Sequence, residues 1–264
     1  MKGVSVVELG IPLWQLQVGV SIGLIGVWAG WRGGMSKMVG FYDLPTATRL
    51  LLYGFFTGAI YQVAAGTLIL DPLWEARTVF PLFPTLMLCL LLSLLTMFML
   101  TRQGVRQLKG QPTAGWTFGL GTGSMLSVFL IYRLMSTPEG LDFVVRGFNA
   151  STIVFGVILS AIVPWSMAII ASWQGWNALE GRRFKPAFKA MLMHSMLLVL
   201  LAFGMVYPVA LFPIPAFILW GQRKADSVWL LSGLSPRMQQ EWKRLQRTGI
   251  STGVRAVTPE EESE

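Results

Sequence analysis

The run from Thr78 to Thr101 carries no charged side chain, and it is not the only such run in the chain. A stretch of about 20 apolar residues is what an α-helix needs to cross the hydrocarbon layer of a membrane. Inside that layer every backbone polar group must be satisfied within the protein, which leaves helices as the economical solution. Seven apolar segments follow one another: Leu9–Trp31, Arg49–Leu70, Thr78–Thr101, Ala114–Met135, Gly147–Trp173, Lys189–Tyr207 and the shorter Pro208–Gly221. Composition agrees. Charged residues make up 13% of the 264, about half the share of a soluble domain, and the mean hydropathy is +0.58. The expected fold class is all-α: a polytopic transmembrane helical bundle of about seven spans.

The N-terminal apolar run starts near Leu9 and is longer than a signal-peptide core, so it reads as a retained span. The seventh segment is short for a full crossing. Its prolines, Pro208, Pro213 and Pro215, remove backbone donors, so it needs partners inside the bundle.

Charge sets the orientation. Three Lys or Arg residues lie in Arg32–Arg49, three in Arg102–Lys109, four in Arg182–Lys189 and seven after Gly221, together 17 of the 21 in the chain. Seven crossings put all four groups on one side, which the positive-inside rule makes cytoplasmic, with the N-terminus out and the C-terminus in. The opposite side holds Lys2, Arg77, Arg133 and Arg146 against Glu8, Asp71, Glu75, Glu139 and Asp142. The net charge of +8 is therefore read as a basic cytoplasmic face and not as a nucleic-acid surface. The expected location is the cytoplasmic membrane of a prokaryote. Trp14, Trp31, Trp74, Trp116, Trp173, Trp176 and Trp220 fall near proposed interfaces, where indole rings anchor helices at the headgroups.

The chain divides into a transmembrane domain, residues 1–221, and a basic tail, 222–264. In the tail, "PRMQQEWKRLQR" sets Met238, Trp242 and Leu245 on one helical face, with Arg237, Lys243, Arg244 and Arg247 around the rest. A helix over Pro236–Thr248, shielding Trp242 against the membrane surface or a partner, is expected. The acidic end, "TPEEESE", has the composition of a disordered segment. The partners this implies are membrane lipids together with other membrane proteins or a cytoplasmic protein.

Within the fourth span Gly115, Gly119 and Gly123 recur every four residues, and Ser127 extends the row. Residues four apart share a helix face, and small residues there let a neighbouring backbone come close. Gly54 and Gly58 do the same in the second span, and Gly19, Gly23, Gly26 and Gly30 in the first. The stripe marks the fourth span as a central, tightly packed helix.

Chemistry-bearing residues are scarce. The span interiors contain no Asp, Glu, Lys or Arg, which argues against a carboxylate proton relay or a two-carboxylate hydrolase. One cysteine, Cys89, gives neither a disulfide nor a cysteine metal cluster, and one histidine gives no bis-histidine haem site. No motif names a cofactor. That histidine, His194, lies a few residues inside the sixth span and is the one intramembrane candidate for a base, with hydrogen-bonded packing as the simpler role. Asn149 opens an "NAS" glycosylation sequon close to the membrane.

The order of features from the third to the sixth span resembles the PrsW and YhfC group of intramembrane proteases. "FGLGTGSMLSVFLIY" has that group's glycines and Tyr132, but Leu126 and Ser127 stand where its glutamate would be. "LFPTLMLCLLLSLLTMFML" lacks the paired glutamates of the preceding helix, whereas His194 after "EGRRFKPAFK" fits the late histidine. Over some 120 residues the resemblance implies a scaffold without the active carboxylates. The expected function is thus a non-enzymatic membrane protein, an accessory subunit or partner-binding scaffold. The alternatives are a small carrier for an apolar or lipid-like substrate, on the proline-broken seventh segment, and a divergent hydrolase using His194.

Overall fold

The computed structural model describes residues 13–76, 80–136, 145 and 147–247. The expected acidic end, Thr248 and the charged residues Lys2, Glu8, Arg77, Glu139, Asp142 and Arg146 lie outside the described residues. Every regular element among those described is helical.

Helix α1, Leu13–Gly30, continues through a wide turn at Trp31–Met35. Helix α2, Leu44–Ala65, starts at Asp43, whose Oδ2 accepts from the Thr46 N–H at 2.9 Å, with Pro45 in the first turn. It passes through a wide turn at Gly66–Leu70 into α3, Asp71–Ala76. Helices α4, Leu82–Leu100, and α5, Gln103–Gln107, lead to α6, Gln111–Ser136. Helix α7, Ala150–Leu179, begins at Asn149, whose side-chain oxygen takes the Thr152 N–H at 2.9 Å; the sequon asparagine is a helix cap here. Helix α8 spans Phe184–Gly204. After a single turn at Pro208–Leu211 comes α9, Pro213–Lys224, which runs on through a wide turn at Ala225–Trp229, and α10 is Pro236–Arg247.

Six helical segments are long and apolar enough to cross a membrane: Leu13–Met38, Leu44–Trp74, Leu82–Leu100, Gln111–Ser136, Ala150–Leu179 and Phe184–Gly204. The seventh sequence segment is broken by its prolines and then extends past its expected end, because Arg223 and Lys224 form the last turn of α9. The boundary drawn at 221/222 therefore falls inside a helix. Gly221 packs on Ile169 of α7, within the bundle.

At the centre lies α6, buried along almost its whole length. Helices α1 and α7 run antiparallel to it and α2 parallel, while α4 pairs with α8, both pack on α7, and α4 also touches α2 and α6. Pro164 inside α7 lacks the N–H that would reach the Ser160 carbonyl. That freed carbonyl lies against Gly26 of α1, where the missing side chain admits it.

The tryptophans divide. Trp14 and Trp220 are exposed, as an interfacial anchor would be. Trp116 is fully buried and donates Nε1–H to the Gly30 carbonyl at 3.1 Å; Trp74 is buried and donates to the Ala202 carbonyl at 3.1 Å. For these two the anchor reading is corrected: they fill helix junctions, and each indole donor is used by a carbonyl of another helix.

Candidate functional site

Two regions of the bundle hold polar side chains from several helices. The first is in the interior. His194 of α8 has its Nδ1 at 3.2 Å from the Ser93 hydroxyl of α4, and Gln174 of α7 donates to the Ser93 carbonyl at 3.2 Å. A second pair, Tyr61 of α2 and Cys89 of α4, meets at 3.5 Å. All five side chains are buried. A serine beside a histidine is the beginning of a nucleophile and base, yet such chemistry needs room for a reacting group next to both. The space beside His194, bordered by Thr96, Gly119, Thr122 and Met167, admits no water-sized sphere. As placed, the groups tie α4, α7 and α8 together.

The glycines account for that closeness. A Cβ on Gly115 would strike the Ala171 carbonyl, one on Gly119 would come within 2.6 Å of the Ala168 Cα, and one on Gly123 within 2.5 Å of the Pro164 Cα. Real side chains do not show such contacts, so α6 and α7 meet backbone to backbone. Gly54 and Gly58 of α2 stand likewise against Phe118 and Thr122 of α6, and Gly121 returns the contact toward Leu51.

The second region is the end of the bundle where the four basic segments meet. Lys37 pairs with Asp226 at 2.9 Å, and Gln222 donates to the other Asp226 oxygen at 2.6 Å while accepting from Trp165 Nε1–H at 2.7 Å. These contacts fasten the end of α9 to the turn that follows α1 and to the middle of α7. Helix α10 docks on the same platform. Trp242 is buried and donates to the Lys37 carbonyl at 3.1 Å, and Gln239 donates to the Leu231 and Leu234 carbonyls at 3.1 and 3.0 Å. Met238 and Leu245 are half-buried, whereas Arg237, Lys243 and Arg244 are exposed. Arg247 closes the helix. The buried Trp242 thus packs against the chain's own Lys37 loop, so the ring expected to rest on a membrane or partner is already occupied.

Between α10, the Gly40–Asp43 turn and the Lys109 loop lies a cavity of about 270 Å³. Tyr42 lines it and is half-buried; burial raises its phenol above the ordinary value, so it stays neutral.

Sequence reading reached His194 but not Ser93 or Gln174. Both were visible only as isolated polar residues in apolar runs; Ser93 meets His194 across 101 residues, and Gln174 meets the Ser93 carbonyl across 81. It also missed Asp226 and Gln222, since nothing local connects them with Lys37 or Trp165. No family model matches the chain, and neither curated proteins nor solved structures give a match.

Proposed function

We propose that this chain is a non-enzymatic integral membrane protein of seven crossings that serves as a scaffold or accessory subunit, with its basic end in the cytoplasm. One observation carries the reading: the polar groups of the interior are sealed by helix-to-helix backbone contact, with no water-sized space beside His194. A hydrolase needs a path for substrate and water to its base, and a carrier needs a midplane cavity. A sealed bundle suits a part that is held by others or holds them. The seventh crossing is supported by the path of α9. Leu211, before it, packs on Gly204 at one end of α8, and Trp229, after it, stacks on Trp176 at the opposite end of the bundle. Helix α9 and its five-residue extension span about 25 Å at 1.5 Å per residue, close to the hydrocarbon thickness. The partners proposed are lipids and other membrane proteins, which would meet the exposed Arg237, Lys243 and Arg244 on the cytoplasmic side.

The test is purification from native membranes in mild detergent, with mass spectrometry of what accompanies the chain. A stoichiometric membrane-protein partner is the expected result. A stable monomer with nothing bound overturns the reading.

A further inference from the structure

The cavity at the basic end differs from the tight spaces beside His194 and near Gly19. About 270 Å³ approaches the lower bound of ligand pockets, about 300 Å³, whereas the groove between α1 and α6 near Gly19 leaves only about 10 Å³. Its walls are of two kinds. Phe41, Leu108, Leu230, Leu234 and Met238 supply apolar surface. Asp43 and Lys109 are the charged residues among those lining it.

These two charges make no ion pair with each other. Asp43 spends one carboxylate oxygen on the Thr46 N–H, and the cap does not use the other. Lys109 is exposed and is held at φ 50, a left-handed conformation uncommon for a lysine, with its carbonyl under Gly233. Its loop is thus pinned beside the cavity. An acidic and a basic residue that line one cavity and form no ion pair among the described residues offer complementary charges to a ligand that carries both signs. The hydroxyls of Tyr42 and Thr46 add neutral hydrogen-bonding groups.

We propose that this cavity binds a small zwitterionic amphiphile, with its cationic group at Asp43, its anionic group at Lys109 and its apolar part against Phe41, Leu230, Leu234 and Met238. Helix α10 forms one wall through Met238, so the tail helix belongs to the site. The proposal does not depend on the scaffold reading, since a bound amphiphile is compatible with a subunit, a carrier or an enzyme.

The probe is lysophosphatidylethanolamine, which has an ammonium, a phosphate and one acyl chain. It is compared with lysophosphatidate, which lacks the ammonium, and with free phosphoethanolamine, which lacks the chain. Binding to the full chain in an uncharged detergent is followed by native mass spectrometry. Two variants keep the local backbone: Asp43→Asn retains a good helix cap, and Lys109→Asn tolerates positive φ. Unchanged melting of both variants shows that they are folded. The expected result is tightest binding of lysophosphatidylethanolamine, weakened about two- to fivefold by either variant, as loss of one exposed ion pair predicts. Lysophosphatidate should weaken with Lys109→Asn but not with Asp43→Asn. No binding of the first probe, equal binding of all three, or indifference to either variant overturns the proposal. Phosphoethanolamine binding as tightly as the full amphiphile overturns it too, since the apolar wall would then contribute nothing.

Discussion

A methyl group is a sufficient probe of the α6–α7 contact. At Gly119 the added carbon would meet the Met167 carbonyl and the Ala168 Cα, both backbone atoms that cannot rotate away. Gly119→Ala should therefore destabilise the protein by about 1–3 kcal/mol, the usual range for overpacking, despite alanine's better helix propensity. The control is Gly104→Ala in α5, where nothing lies within 4 Å and the propensity gain is unopposed. Denaturant titration of both variants checks the pair; equal stability would mean the helices can part at no cost. His194 makes a second residue-scale prediction. If Ser93 and His194 hold helices together, a double-mutant cycle with Ser93→Ala and His194→Ala should give a coupling of about 0.6 kcal/mol, as found for hydrogen bonds between membrane helices. A coupling near zero would show that the 3.2 Å contact contributes nothing to stability.

At the scale of elements, α10 is held by side-chain contacts that can be removed one at a time. Trp242→Phe keeps the ring and loses the hydrogen bond to the Lys37 carbonyl, at a cost of about 1 kcal/mol; Trp242→Ala also loses the packing and should free the helix. Limited proteolysis reads the result: cleavage between Leu234 and Arg247 should rise sharply for Trp242→Ala and slightly for Trp242→Phe, while the bundle stays intact. The Lys37–Asp226 pair is partly exposed, so Lys37→Ala should change cleavage little. How much of this could be read beforehand follows from range. Apolar runs located the six long helical segments, and the Met238–Trp242–Leu245 spacing located α10, because both are local patterns. What α10 rests on was not legible, since Trp242 and Lys37 are 205 residues apart. The glycine rows announced a close approach but not its partner: Gly115, Gly119 and Gly123 face α7, whereas Gly121, two residues out of step, faces α2. That α9 runs on past Gly221 was not legible, because a charged pair, Arg223 and Lys224, looks like the end of a span whether the helix stops or continues.

For the whole molecule the decisive quantity is which end faces the cytoplasm. The basic segments occupy one end together: Lys37 pairs with Asp226, Trp242 reaches Lys37, and Gly233 lies against Lys109. Around the opposite end are Asn149, which caps α7, and the partly buried pair of Arg133 with Asp71. Lysine and arginine flanking membrane helices favour the cytoplasmic side, so the 17-to-4 asymmetry sets the proposed orientation. Labelling with a membrane-impermeant maleimide tests it, and the native background should be silent because the single cysteine, Cys89, is buried. Three exposed positions serve as reporters: Ser151 at the start of α7, Gln107 in α5, and Ser227 beyond α9. Ser151→Cys should label from outside intact cells, and Gln107→Cys and Ser227→Cys only after the membrane is opened. The pairing of the last two separates the alternatives. Labelling of Ser227→Cys together with Ser151→Cys would mean that the proline-broken segment turns back, leaving six crossings and a tail outside. Labelling of Gln107→Cys and Ser227→Cys from outside, with Ser151→Cys protected, would keep seven crossings but invert the protein, and charge asymmetry would then not be what orients it.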